Sequence, residues 1–93
     1  MLDRDGQDHP GVKVRLFASV REMAGRGEVL IRLDGTRLSA EKLRERVFAM
    51  YPELVSKQVP FVLAVNHTVV IDESKVFITQ GDEVAILPPI SGG

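Results

Sequence analysis

The chain has 93 residues, 12 Lys and Arg against 13 Asp and Glu (net charge −1), and no cysteine. Such a length supports one core that buries only about 60–65% of the unfolded surface, so most residues must serve folding. Balanced charge excludes a nucleic-acid binder working by counterion release, and the lack of cysteine excludes disulfides, thiolate metal sites and a cysteine nucleophile.

Residues 1–11 contain acids and no apolar stretch, which fits neither a signal peptide nor a basic transit peptide. They are read as a flexible extension preceding a domain over 12–89, with 90–93 as a flexible tail. No apolar run approaches the roughly 18 residues of a membrane span, and the expected location is cytoplasmic. From Val12, alternation puts Val12, Val14 and Leu16 on one face of a strand, with Lys13, Arg15 and then Phe17 on the other. Ser19 and Glu22 have capping-box spacing, so a short helix is expected from Ser19, ended by Gly25 and Gly27. A second strand spans 28–33, and Asp34-Gly35 makes a turn.

The main helix should begin at Ser39, because Leu38 and Leu43 stand at the hydrophobic-staple positions around that N-cap. Leu43, Val47, Met50 and Leu54 form its expected buried stripe; Glu41, Lys42, Arg44, Glu45 and Arg46 form its solvated side. Pro52 ends the regular helix or opens a last irregular turn. The apolar run Phe61–Val65 suits a central strand, Asn66-His67 a turn, and 68–71 a short returning strand. Residues 72–82 read as polar turns, 83–87 as the last strand with Val84 and Ile86 inward, and Pro88-Pro89 as a ladder break. Strand, strand, helix, strands is the order of an α+β domain: a β-grasp, ubiquitin-like mixed sheet packed on one main helix, first and last strands central.

Side-chain chemistry is sparse. His9 and His67 lack partners at metal-ligand spacing, Ser19 and Ser39 are explained as caps, and Asp72-Glu73 and Asp82-Glu83 sit at turns where solvated acids are expected. Gly25-Arg26-Gly27 is too short for a phosphate loop. The C-terminus differs. At about 7% glycine usage, two consecutive terminal glycines arise by chance in roughly 0.5% of chains. Glycines can thread a narrow tunnel, and Pro88 and Pro89 favour an extended exit that holds a tail off the sheet. The plainer alternative is a frayed terminus. Period-two counting also sends Phe17, Leu87 and Val69 to the face opposite the helix, either as a docking patch or as scattered surface apolars.

Residues 14–18 (Val-Arg-Leu-Phe-Ala), 20–22 with Gly25, 64–66, and above all 81–93 (Gly-Asp-Glu-Val-Ala-Ile-Leu-Pro-Pro-Ile-Ser-Gly-Gly) resemble the small, sulfur-carrier subunits of molybdopterin synthase. The resemblance covers residues 12–93; its Pro-Pro-Ile-Ser stretch favours this type over thiamine-type carriers. It implies that Gly93 is the chemical centre: a ubiquitin-activating-type adenylyltransferase uses MgATP to adenylate its carboxylate, and a sulfurtransferase or cysteine desulfurase supplies the sulfur of a thiocarboxylate. The tail, Pro88, Pro89, Ile90, Ser91 and Gly92, would then thread into the synthase large subunit, where sulfur passes to cyclic pyranopterin monophosphate. Two carriers serve each dithiolene, and the assembly implied is a heterotetramer. Phe17, Val69 and Leu87 fall where partner-facing residues lie in such subunits. The residues themselves lead to the expectation of no bound cofactor, no metal, no independent active site, and neither a nucleic-acid nor a membrane partner. Competing readings are sulfur delivery to thiamine or cysteine pathways, a ubiquitin-like covalent modifier joined through Gly93, and a plain interaction domain.

Overall fold

A computed structural model describes residues 11–33 and 35–89. Alternating side chains make β1 (Gly11–Leu16) an amphipathic strand, with Val12, Val14 and Leu16 at most 1% exposed. It pairs antiparallel with β2 (Glu28–Arg32), which turns Val29 and Ile31 to the same buried side. The chain's last strand, labelled β7 (Val84–Leu87), lies parallel to β1 on its other edge, with Leu16 opposite Ile86. β4 (Val62–Val65) flanks β7 antiparallel, and β5 (Thr68–Val69) closes the sheet in the order β2-β1-β7-β4-β5. The first and last strands are therefore interior, as the sequence predicts.

Between β1 and β2 lies α1 (Ala18–Ala24), which starts one residue before the expected Ser19 cap. Ser19 caps nothing there. The Phe17 amide donates to the Ile86 carbonyl (3.2 Å), Ala18 turns the chain at φ 53°, and the Arg21 amide reaches the Phe17 carbonyl (3.4 Å). Main chain thus closes the first turn where a side-chain cap was expected. Gly25 ends the helix at φ 74°, a left-handed conformation that glycine adopts without a Cβ clash.

The main helix, α2 (Ala40–Met50), starts as predicted: the Ser39 hydroxyl accepts the Lys42 amide at 3.1 Å. Ala40, Leu43 and Val47 are fully buried against the inner side of the sheet, each larger aliphatic side chain worth about 1.5–3 kcal/mol. Met50 departs from the expected stripe and is 45% exposed. The helix stops there, at Tyr51 with ψ 74°, and after Pro52 the chain restarts as the single turn α3 (Glu53–Ser56), so the helical register is lost. Tyr51 packs against the core in its place, and Leu54 is buried from α3.

A second sheet went unpredicted. β3 (Arg37–Ser39) pairs antiparallel with β6 (Phe77–Thr79), burying Leu38 directly opposite Ile78. Arg44, expected on the solvated side of α2, is half-buried instead. Its guanidinium grips the Glu73 carboxylate through Nε (2.8 and 3.0 Å) and Nη2 (2.7 Å), donates to the Phe61 carbonyl (3.0 Å), and lies 4.2 Å from the Phe61 ring centre. The main chain beside Glu73 is fastened as well, since the Ala40 and Glu41 amides donate to the Val76 and Glu73 carbonyls. Glu73 is accordingly a structural anion, not the solvated acid that its turn position suggests.

Replacing Arg44 by Ala should lower unfolding stability by about 1.5–3 kcal/mol, because Glu73 loses charge-assisted bonds while half-buried. Arg44→Lys should restore only part of this, since an ammonium cannot reproduce the fork. Urea titration measures both; a loss under about 0.5 kcal/mol for Arg44→Ala would show the network to be idle.

Candidate functional site: the tail exit and the outer sheet face

Because β7 is held between β1 and β4, the point where the chain leaves the sheet is fixed on both sides. Leu87 is the last strand residue; Pro88 and Pro89 come next, both exposed. Neither proline has an amide hydrogen to extend the ladder, so pairing stops at Leu87. Ile90, Ser91, Gly92 and Gly93 lie outside the described residues.

The register places the three candidate docking residues on one side of the sheet. Leu87 is opposite Val62, and Val69 is opposite Ala64, which in turn is opposite Ala85. Directly paired residues share a face, and this face is the one turned away from Leu63, Val84 and Ile86 in the core. Phe17 continues β1 through its bond to Ile86, so alternation from buried Leu16 puts it beside Leu87, 38% exposed. Phe17, Leu87 and Val69 thus come together, joined by Val62, Ala64 and Ala85. Those three have no signature in sequence: Phe61–Val65 is apolar throughout, so period-two counting cannot assign its faces.

The same face turns polar across β1 and β2. Arg15 is opposite both Glu28 and Ala85, and Lys13 is opposite Leu30. A shallow depression there is lined by Lys13, Arg15, Glu28, Asp82 and Glu83.

At the far end of β7, hydrogen bonds hold the strand's entry. Asn66 (φ 51°) and His67 (φ 70°) form a two-residue turn with both residues left-handed, the geometry that matches strand twist. Asn66 Oδ1 accepts the Glu83 amide (2.9 Å), its own amide donates to the Glu83 carbonyl (2.7 Å), and Nδ2 donates to Asp82 Oδ1 (3.1 Å). Asp82 Oδ2 accepts the Thr79 amide at 2.8 Å. That bond, followed by the one from Asn66, holds the Asp82 carboxyl below its ordinary 3.8. The Asp82-Glu83 pair is therefore turn structure, with Glu83 3.0 Å from the exposed His67. Among the described residues no group of three His, Cys, Asp or Glu could hold a metal, and no helix is long and apolar enough to cross a membrane.

The ThiS family model matches residues 14–93. The chain belongs to the ThiS family. A curated relative from Chlamydomonas reinhardtii, a molybdopterin synthase sulfur carrier subunit, is 40% identical over 82 residues, 88% of this chain and 98% of that protein. Among solved structures, the small archaeal modifier protein 1 of Methanosarcina acetivorans superposes with TM-score 0.68 at 26% identity, covering 94% of this chain and all of that one. Subunits 1 and 2 of the molybdopterin-converting factor of Helicobacter pylori, solved as a complex, include a chain with TM-score 0.60 at 20% identity, covering 89% of this chain and 99% of that one; at that identity the likeness is one of fold. Within this ThiS-family chain, then, the described residues supply a frame around the tail exit.

Because the Asp82 carboxyl titrates lower folded than unfolded, its contribution is full above the unfolded value and fades as pH falls through the folded one. The stability gap between wild type and Asp82→Asn should be constant from pH 8 to about pH 5 and shrink below the ordinary 3.8. Thermal unfolding across pH measures it; a gap that grows on acidification would contradict the assignment.

Proposed function

We propose that the chain is the sulfur-carrier subunit of molybdopterin synthase and that its Gly93 carboxylate carries the sulfur. The observation that supports this most is the placement of β7: an interior strand with an apolar outer face runs into Pro88-Pro89, and the sequence ends Gly-Gly four residues later. The names of curated relatives at up to 40% identity favour the same reading.

A carboxylate is a poor electrophile, so Gly93 must first be activated. A ubiquitin-activating-type adenylyltransferase provides this: a Gly93 carboxylate oxygen attacks the α-phosphorus of MgATP, pyrophosphate leaves, and an acyl-adenylate results. The terminal sulfur of a persulfide on a sulfurtransferase or cysteine desulfurase then attacks the carbonyl carbon and displaces AMP. A thiol reductant cleaves the resulting acyl disulfide, leaving the sulfur on Gly93 and a disulfide on the donor side. The thiocarboxylate so formed is ionised and nucleophilic, and it sits at the end of an arm with no bulky side chain at its last two positions. Phe17, Val69 and Leu87 seat the large subunit, whose active site receives the tail and directs sulfur to cyclic pyranopterin monophosphate. The Helicobacter pylori complex, which pairs subunits 1 and 2 of the converting factor, supports a large-subunit partner of this kind. Pro88, Pro89, Ile90, Ser91 and Gly92 serve as the threading segment, in the cytoplasm.

A covalent modifier joined through Gly93 to lysines is the weaker second reading, resting on likeness to the archaeal modifier structure alone. Removal of Gly93 tests the carrier. The truncated chain should fold and bind the large subunit yet form no molybdopterin; undiminished product would contradict the proposal. Phe17→Lys should weaken large-subunit binding by about tenfold or more while thermal stability stays near wild type, measured by calorimetry; unchanged affinity would remove Phe17 from the interface.

A further inference from the structure

Ile71 is 91% exposed, more than any other large apolar side chain among the described residues. Phe77 lies under Arg37, whose guanidinium is 4.4 Å from its ring centre, and Leu30 leans over Gly11. Ile71 buries almost nothing in the free chain, so its side chain adds little to folding. A single exposed apolar residue is ordinary; its position is what carries weight here.

Val69 is opposite Ala64, and the Val70 amide donates to the Leu63 carbonyl at 2.8 Å, so the pairing with β4 runs on past the end of β5. Val70 packs against the core. The next residue, Ile71, lies at a bend just past this pairing with its side chain in solvent, and continuing the register by one position brings it level with Val62. Val62 is opposite Leu87, and Phe17 flanks Leu87 from β1. Phe17, Leu87 and Val62 therefore form one row at the end where the chain leaves the sheet, and Ile71 follows the end of β5 at the next position along that row. With strands about 4.8 Å apart, a position two strands over from Leu87 is roughly 10 Å from it.

We propose that Ile71 is a contact of the same large subunit that receives the tail, extending the row to the edge of the sheet. This rests on the carrier reading above. Length supplies the argument for that occupant: the six residues from Pro88 to Gly93 reach at most about 20 Å, so a protein that takes Gly93 into its active site must sit against the exit end of the sheet. A body large enough to enclose the tail and cover Phe17 and Leu87 meets Ile71 on the way. The surface it presents opposite Ile71 is apolar, since a desolvated polar group there would lack a partner.

The test is calorimetric titration of full-length variants with the large subunit from the same organism. Ile71→Asp should raise Kd by about tenfold or more, while Ala49→Asp, which puts the same charge on the exposed side of α2, should bind as wild type. Both should keep wild-type thermal stability. If Phe17→Lys weakens binding and Ile71→Asp does not, Ile71 is outside the interface although the carrier reading stands. Equal weakening by Ile71→Asp and Ala49→Asp would also overturn the proposal, as a general charge effect. If neither Phe17→Lys nor Ile71→Asp changes Kd, the docking face itself is misassigned and this inference falls with it.

Discussion

The pairing of β7 between β1 and β4 governs what the rest of the structure can do. A C-terminal strand at a sheet edge could fray, and its tail would leave from a variable point. In the interior, Leu87 is fixed against Val62 on one side and comes directly after the Leu16–Ile86 pairing on the other. Burial of Val84 and Ile86 in the core adds to that hold, and the Asn66 and Asp82 bonds anchor the strand's beginning. The point at which the chain leaves the sheet is consequently well defined.

Two consequences meet at the exit. Parallel alignment of β1 with β7 brings the end of β1, and hence Phe17, beside Leu87, so a residue far away in sequence stands next to the last strand residue. Antiparallel β4 places Val62 on the other side of Leu87. The outer face is apolar over β7, β4 and β5 and charged over β1 and β2, so the surface is divided where Arg15 meets Ala85. Holding this face in shape falls to the opposite side of the sheet, where Leu43 and Val47 pack inward and Arg44 ties α2 to Glu73 and to the main chain at Phe61, just before β4.

Much of this is legible from residue pattern, with failures of identifiable kinds. Alternation in β1 and β7 reveals which side chains face in, and the Leu38–Leu43 staple locates the start of α2. Met50 fails because helical periodicity cannot show that the helix stops at that residue, and Arg44 and Glu73 fail because their pairing joins residues 29 apart. β3 and β6 have three residues each, too few for a period to emerge, and their stability comes from Leu38 meeting Ile78 across the pair. Ser19 shows a local signal overridden, since the ladder bond from Phe17 to Ile86 sets the chain's direction before the hydroxyl can cap. As for the apolar outer face, Phe17, Val69 and Leu87 emerge from alternation, whereas Val62 needs the register.

On the proposed reading, the folded body positions and docks, while the chemistry belongs to one main-chain carboxylate at Gly93. The most direct test of this division is the intact mass of the C-terminal peptide after the chain has been incubated with its adenylyltransferase, MgATP and a sulfur donor. One oxygen should be replaced by sulfur, located on the residue-93 carboxyl and absent when ATP is omitted. An unaltered carboxylate under conditions that support molybdopterin formation, or sulfur found on any other residue, would contradict it.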